Sequence, residues 1–259
     1  MKRGLYKAHA VVLNSTDYGE SDRILSFFTK EYGKINGIAK GARRSRKRFV
    51  GNLDPLSHIK FNYFYGGGEL VRVEDASLIE GFQNFRTDIE RLSNACYLLE
   101  LVSEMTREGQ VLPRVYNMLS VFLRMMDNGA SADGSLLRFF EIRLLDMLGF
   151  MPCIDRCVVC NEPLDSLANG AGRLKGFSSE KGGVVCGRCP AGGLVPLSLG
   201  TARLLSAATK LDEEKLTRLV AGPAFTQESE RMLYDFIKFQ IGKELKTKKF
   251  MHKLKNAEF

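Results

Sequence analysis

The chain has 259 residues, 44% hydrophobic and 26% charged, with a formal net charge of +8 and a pI near 9.2. That length and composition suit one large or two smaller globular domains and exclude a fibrous or low-complexity chain. No eighteen-residue apolar run is present, which excludes a transmembrane helix, and the N-terminal MKRGLYKAHAVVLNSTDYGE lacks a secretory apolar region, so it reads as mature cytoplasmic sequence. Positive charge gathers at the two ends. Residues 1–80 hold 14 basic and 9 acidic side chains and residues 201–259 hold 12 and 8, around a middle close to neutral. A polyanionic partner follows from that distribution.

The first eighty residues predict β structure. Ala8–Asn14, Arg23–Thr29, Lys34–Lys40 and His58–Tyr65 are short apolar or alternating runs, and ELVRVEDA follows the triple glycine Gly66-Gly67-Gly68. Strands at about ten-residue spacing, split by glycine turns, predict a small antiparallel barrel or sandwich. In HIKFNYFY, the alternation of Ile59, Phe61, Tyr63 and Tyr65 predicts one core-facing side, leaving Phe64 and Phe49 as candidates for base stacking. The glycine triple lacks the Lys-Ser or Lys-Thr of a phosphate loop and reads as a hairpin turn.

Between these strands lies KGARRSRKR, with six basic residues in nine: Lys40, Arg43, Arg44, Arg46, Lys47 and Arg48. By charge alone it is either a solvated loop or a phosphate-binding arm. The carboxylates Asp17, Glu20, Asp22 and Glu31 read as turn residues rather than a two-metal nuclease centre.

After Phe85 the period becomes helical. Helices are predicted over Thr87–Thr106, from Pro113 to near Gly129, and over Ser135–Gly149, the last apolar on more than one side and therefore central. Helical signal returns at Leu199–Thr209, Asp212–Val220 and Thr226–Leu245. The lysine-rich end offers Lys243, Lys246, Lys248, Lys249 and Lys253 either as a solvated helix end or as a second phosphate contact.

Residues 150–195 lose periodicity and become rich in cysteine and glycine. Cys157-Val-Val-Cys160 and Cys186-Gly-Arg-Cys189 form a paired C-x-x-C arrangement, the spacing of a closed four-thiolate zinc site. The three histidines, His9, His58 and His252, lie far from this cluster, which argues against an open catalytic site. Cys153 is a spare thiol or an alternative ligand, and Cys96 sits in a helical apolar stripe.

Four segments together resemble the RecO family of bacterial recombination and repair proteins. They are AVVLNSTDYGESDRILSFFTKEYGKINGIAKGARR with its G-x-x-K-G-A-R run at Gly37–Arg43, GFMPCIDRCVVC, FSSEKGGVVCGRC, and the basic, aromatic ELKTKKFMHKL. The resemblance implies an α+β protein: an OB-fold barrel over 1–80, then a helical domain over 81–259 interrupted by a zinc-ribbon insertion near 150–195. It implies one structural zinc on Cys157, Cys160, Cys186 and Cys189, with Cys153 outside the usual pattern. It implies a non-enzymatic protein at the nucleoid that binds single- and double-stranded DNA and anneals complementary strands. The implied partners are RecR, the C-terminal tail of single-strand DNA-binding protein and, indirectly, the RecA recombinase. Beside an OB-type surface the KGARRSRKR block reads as the phosphate-binding arm. The competing readings are an RNA-binding or ribosome-associated factor with the same modules, and a redox protein using its C-x-x-C pairs.

Overall fold

The strand predicted at Ala8–Asn14 runs from Gly4 to Tyr18 as β1, because it serves two partners in succession. Its first half pairs with β4 (His58–Tyr65) and its second with β2 (Asp22–Thr29), the register shifting at a bulge between Val12 and Asn14. β3 (Gly33–Ala39) lies antiparallel to β2 and meets β5 (Leu70–Glu80) in a short parallel seam, while β5 pairs antiparallel with β4. The order β1-β2-β3-β5-β4 closes on itself, the five-stranded barrel of an OB-fold. This computed structural model describes residues 1–45, 47–49, 51–129, 134–166, 174–219 and 221–256.

The barrel interior is filled from alternate positions: Ala8, Ala10 and Val12, then Leu25 and Phe27, Ile59, Phe61 and Tyr63, and Val71 and Val73. Phe27 and Phe61 stack with ring centroids 4.5 Å apart. Each such ring contributes roughly 2–3 kcal/mol by leaving water. The predicted aromatic ladder is thus core, with Tyr65 packed half-buried at its rim. Phe49 is a correction to the stacking expectation: at 3% exposure it plugs the barrel from the loop after β3, together with Leu53.

Residues 1–128 and 246–259 form one compact unit, and residues 129–245 a second. In the first, α1 (Ile89–Met105) is capped by Asp88, whose carboxylate accepts the Glu90 and Arg91 N–H groups. α2 (Pro113–Asp127) begins at its predicted proline and covers the outer side of β2, where Phe28 is buried against Tyr116. Lys34 Nζ donates to the carbonyls of Ser103 (2.5 Å) and Thr106 (2.8 Å), a cation at the end of α1 where the helix dipole favours it.

In the second unit α3 (Ser135–Met147) is buried on nearly every side, as its sequence predicts, and encloses an Arg138–Glu141 ion pair at 3.1 Å. A single helical turn α4 (Leu164–Ser166), the hairpin β6 (Leu174–Ser178) and β7 (Gly183–Cys186), α5 (Leu199–Lys210) and α6 (Pro223–Ile241) complete it. Two stretches depart furthest from the sequence expectation. Asp212–Val220 holds only a 3₁₀ turn, Glu213–Arg218, and Val220 lies outside the described residues. The helix predicted to Leu245 stops at Ile241 because Gly242, at φ 76°, takes the left-handed conformation that ends helices. A separate helix, α7 (Lys246–Asn256), follows and belongs to the first unit. Among the described residues no helix is long and apolar enough to cross a membrane.

Candidate metal centre and nucleic-acid interface

Two tight turns bring the four predicted cysteines together. The first closes when Asn161 N–H donates to Cys157 O at 2.8 Å, with Asn161 at a left-handed φ of 62°; the second when Cys189 N–H donates to Cys186 O at 3.2 Å. The β6–β7 hairpin carries Cys186 at its end, and the Cys153 backbone pairs with Gly182 and Val184 alongside it. Gly183 permits this approach, since a Cβ there would lie 2.7 Å from Cys153 O.

The Sγ atoms of Cys157, Cys160, Cys186 and Cys189 all lie within 4.8 Å of one another. Cys186 Sγ is 3.7 Å from Cys160 Sγ and 3.6 Å from Cys189 Sγ. A tetrahedral ion with metal–sulfur bonds of about 2.3 Å needs sulfur separations of about 3.8 Å, so the cage fits such an ion. Cys157, Cys186 and Cys189 are buried and Cys160 is exposed. Burial raises the Cys157 thiol, yet N–H groups of Cys160, Cys186 and Val159 outweigh it and bring the pKa down to about 6. Burial and the neighbouring sulfurs push Cys189 up to about 12. Four sulfurs this close resist a fourfold negative charge until a cation neutralises it.

Cys153 is not part of that group: its Sγ donates to the Arg156 carbonyl at 3.4 Å. Among the described residues these four cysteines are the only cluster of three or more His, Cys, Asp or Glu able to hold a metal ion. Cys96 is a half-buried free thiol whose pKa burial raises.

The basic block leaves β3 as a pinned arm. Gly41 N–H donates to Asp22 Oδ1 at 2.8 Å, and Ala42–Arg44 forms a 3₁₀ turn. Arg43 N–H donates to Ser21 O at 3.0 Å, and Ala76 N–H of β5 donates to Arg48 O at 3.0 Å. Next to Arg48, the buried Phe49 ring anchors the arm, with the Arg48 guanidinium 4.9 Å above it. The side chains of Lys40, Arg43, Arg44, Lys47 and Arg48 all belong to exposed residues; Arg46 lies outside the described residues. Arg23, Arg43, Ser45, Phe49 and Asp54 line an open cavity of about 360 Å³ beneath the arm.

The early carboxylates are taken up by this arm and its surroundings. Asp17 pairs with Arg23 (3.2 Å) and Arg43 (3.3 Å), Glu20 with Arg44 (3.4 Å), and Glu31 with His9 (2.7 Å). Sequence reasoning missed this pairing, because Asp17 and Arg43 meet only when β1, β2 and β3 close.

The C-terminal lysines divide. Lys243, Lys246, Lys249 and Lys253 are exposed, but Lys248 is 1% exposed and lies with Nζ 5.0 Å from the centroid of the Tyr97 ring. Lys248 therefore leaves the set of expected phosphate contacts, because α7 turns that side of its helix onto α1.

Comparison with known proteins agrees with this architecture. The family model described as Recombination protein O N terminal matches residues 1–82, and Recombination protein O C terminal matches residues 86–249. The chain is 33% identical over 258 residues to the DNA repair protein RecO of Syntrophus aciditrophicus, covering 97% of both chains. It is 34% identical over 237 residues to that of Alkaliphilus metalliredigens, covering 90% of this chain and 92% of the other. With that of Myxococcus xanthus the identity is 32% over 246 residues, covering 95% and 96%. With both family models matched in order and relatives of this identity covering almost its whole length, the chain belongs to the RecO family of DNA repair proteins.

Proposed function

We propose that this chain is a DNA-binding mediator of recombinational repair that works by binding and positioning rather than by catalysis. It binds single- and double-stranded DNA and anneals complementary strands. With RecR it helps to load RecA onto DNA coated with single-strand DNA-binding protein, whose C-terminal tail it holds. Residues 1–80 are the nucleic-acid-binding domain in this reading, and residues 81–259 the helical domain.

The observation that carries the reading is the arm itself. Lys40, Arg43, Arg44, Lys47 and Arg48 project from an OB barrel on a segment fixed at Asp22, Ser21, Ala76 and the Phe49 plug. A row of cations held in place meets a phosphate backbone at little ordering cost, with affinity falling steeply as salt rises. Arg46 and the exposed Lys243, Lys246, Lys249 and Lys253 extend the set. Zinc is the ion we assign to the four-thiolate cage, since soft sulfur ligands in a closed tetrahedral set suit it and its role there is structural.

The test is annealing of complementary oligonucleotides coated with single-strand DNA-binding protein, at two salt concentrations. Acceleration by the intact chain, lost when Arg43, Arg44, Lys47 and Arg48 become Glu, is the expected result. No acceleration and no strand binding would overturn the reading. Preferential displacement of DNA by RNA of equal length would favour an RNA-binding factor instead.

A further inference from the structure

The arm occupies one end of β1; the other end presents a second surface of different chemistry. Leu5, Phe64 and Arg72 lie side by side on β1, β4 and β5, Leu5 paired with Phe64 and Phe64 with Arg72. Ala8, Phe61 and Tyr63 point into the core, so by strand alternation these three face outward. Phe64 is only half-buried, and two guanidiniums flank it: Arg3 Cζ at 5.8 Å and Arg72 Cζ at 5.5 Å from its centroid. Leu5, opposite, is 73% exposed. Lys7 and Lys60 stand further along the same face, by the same alternation.

The acidic groups here are already engaged. Glu74 accepts from Arg72 at 2.6 Å, and Asp75 accepts from Asn62 at 2.9 and 3.0 Å. What remains is an aromatic ring and a leucine bordered by Arg3, Lys7 and Lys60, with Arg72 shared between the ring and Glu74, which a phosphate has to displace. Planar π and guanidinium surfaces take nucleobases, and the surrounding cations take the phosphates between them.

We propose that Arg3, Phe64 and Arg72, with Leu5 beside them, form a second single-stranded DNA site on the outer face of β1, β4 and β5. A base stacks against the Phe64 side of the cluster, and Arg3 and Arg72 hold the phosphates on either side. The proposal rests on the nucleic-acid reading above and adds to it a second strand position. Arg3 and Asp17, the arm's partner, are separated by roughly 45 Å of strand contour at about 3.3 Å per residue. Two single strands on one barrel, one at each end of β1, is an arrangement that serves annealing directly.

The experiment uses the full chain and a labelled oligothymidylate, with affinity measured across a salt series. Phe64→Leu keeps an apolar side chain but removes the ring; it is expected to lose roughly fivefold or more in affinity with the salt slope unchanged. Arg3→Gln with Arg72→Gln, both on the surface and so safe for folding, is expected to reduce the slope by about 1.4, two single-strand phosphates at about 0.7 each. The double variant is also expected to slow annealing while the arm still binds one strand. Unaltered affinity and slope in both variants, with binding still abolished by charge reversal of the arm, would overturn this site and leave the proposed function standing. No binding by the unaltered chain would overturn both.

Discussion

Glu100, in the C-terminal third of α1, accepts the backbone N–H groups of Lys246 and Thr247 at 2.8 Å each and so caps the first turn of α7 from 146 residues away. The carboxylate satisfies two amides that have no partner within the helix and meets the positive end of its dipole. This clamp sets the rotation of α7 that places Lys248 over Tyr97.

Replacing Glu100 by Ala should destabilise the docked α7 by about 1 kcal/mol, the usual cost of losing an N-terminal cap. Amide exchange along residues 246–256 should accelerate while exchange in the barrel strands stays unchanged. Equal protection in both proteins would remove Glu100 from this role.

The cysteine cage should bind one tetrahedral divalent ion per chain, and its affinity should weaken as pH falls. Cys189, held up at about 12, carries a proton at neutral pH that the metal must displace. Each proton displaced makes affinity drop about tenfold per pH unit. Cys157, already lowered to about 6, adds its own proton only as the pH approaches that value. Cobalt(II) titrations followed by the thiolate charge-transfer band at several pH values measure the slope. A flat profile, or full stoichiometry in Cys157→Ser, would refute the assignment.

His58 predicts an acid-side loss of stability. Burial lowers its pKa, and its Nε2 lies 2.7 Å from the Tyr116 hydroxyl, joining β4 to α2. Glu80 Oε2, 3.8 Å from Nδ1, opposes the shift, and the Arg124 guanidinium, 2.8 Å from that carboxylate, favours it. With the folded pKa below the unfolded value of about 6.5, unfolding takes up a proton. The stability this group contributes is complete above about pH 6.5 and is lost as pH falls through the folded pKa. Denaturant midpoints measured from pH 8 to 5 should decline less steeply in His58→Gln than in the parent chain. Parallel curves would exclude His58 as the source.

Asp17 and Glu20 act as internal counter-ions of the arm, so a phosphate must displace them from Arg43 and Arg44. Asp17→Asn and Glu20→Gln should each tighten single-strand binding about two- to fivefold at low salt, the range of an exposed ion pair. The gain should shrink at high salt, where screening weakens the pairs. Weaker binding in both variants, with the fold intact by circular dichroism, would mean that the carboxylates position the arm instead of competing with the DNA.

Much of this architecture is legible locally. Alternation in His58–Tyr65 predicts a strand with Phe61 and Tyr63 inward; Pro113 marks a helix start; the two C-x-x-C pairs name the four sulfurs that converge. Boundaries are less legible where a partner decides them. β1 outruns its apolar run because polar Ser15 and Thr16 are paired by β2, and α6 ends at Gly242 within an unbroken helical pattern.

The sequence by itself determines the strand and helix periods, the location of the basic arm and the four cysteines able to hold a metal ion, because each depends on neighbours within a few residues or on fixed ligand chemistry. Only the tertiary structure decides that Phe49 plugs the barrel, that Lys248 is buried on Tyr97, that Arg43 and Arg44 already face carboxylates, and that Phe64 stands between Arg3 and Arg72. These pairings join residues far apart in the chain, and burial or charge neutralisation belongs to whichever surfaces the closed barrel and the docked helices bring into contact.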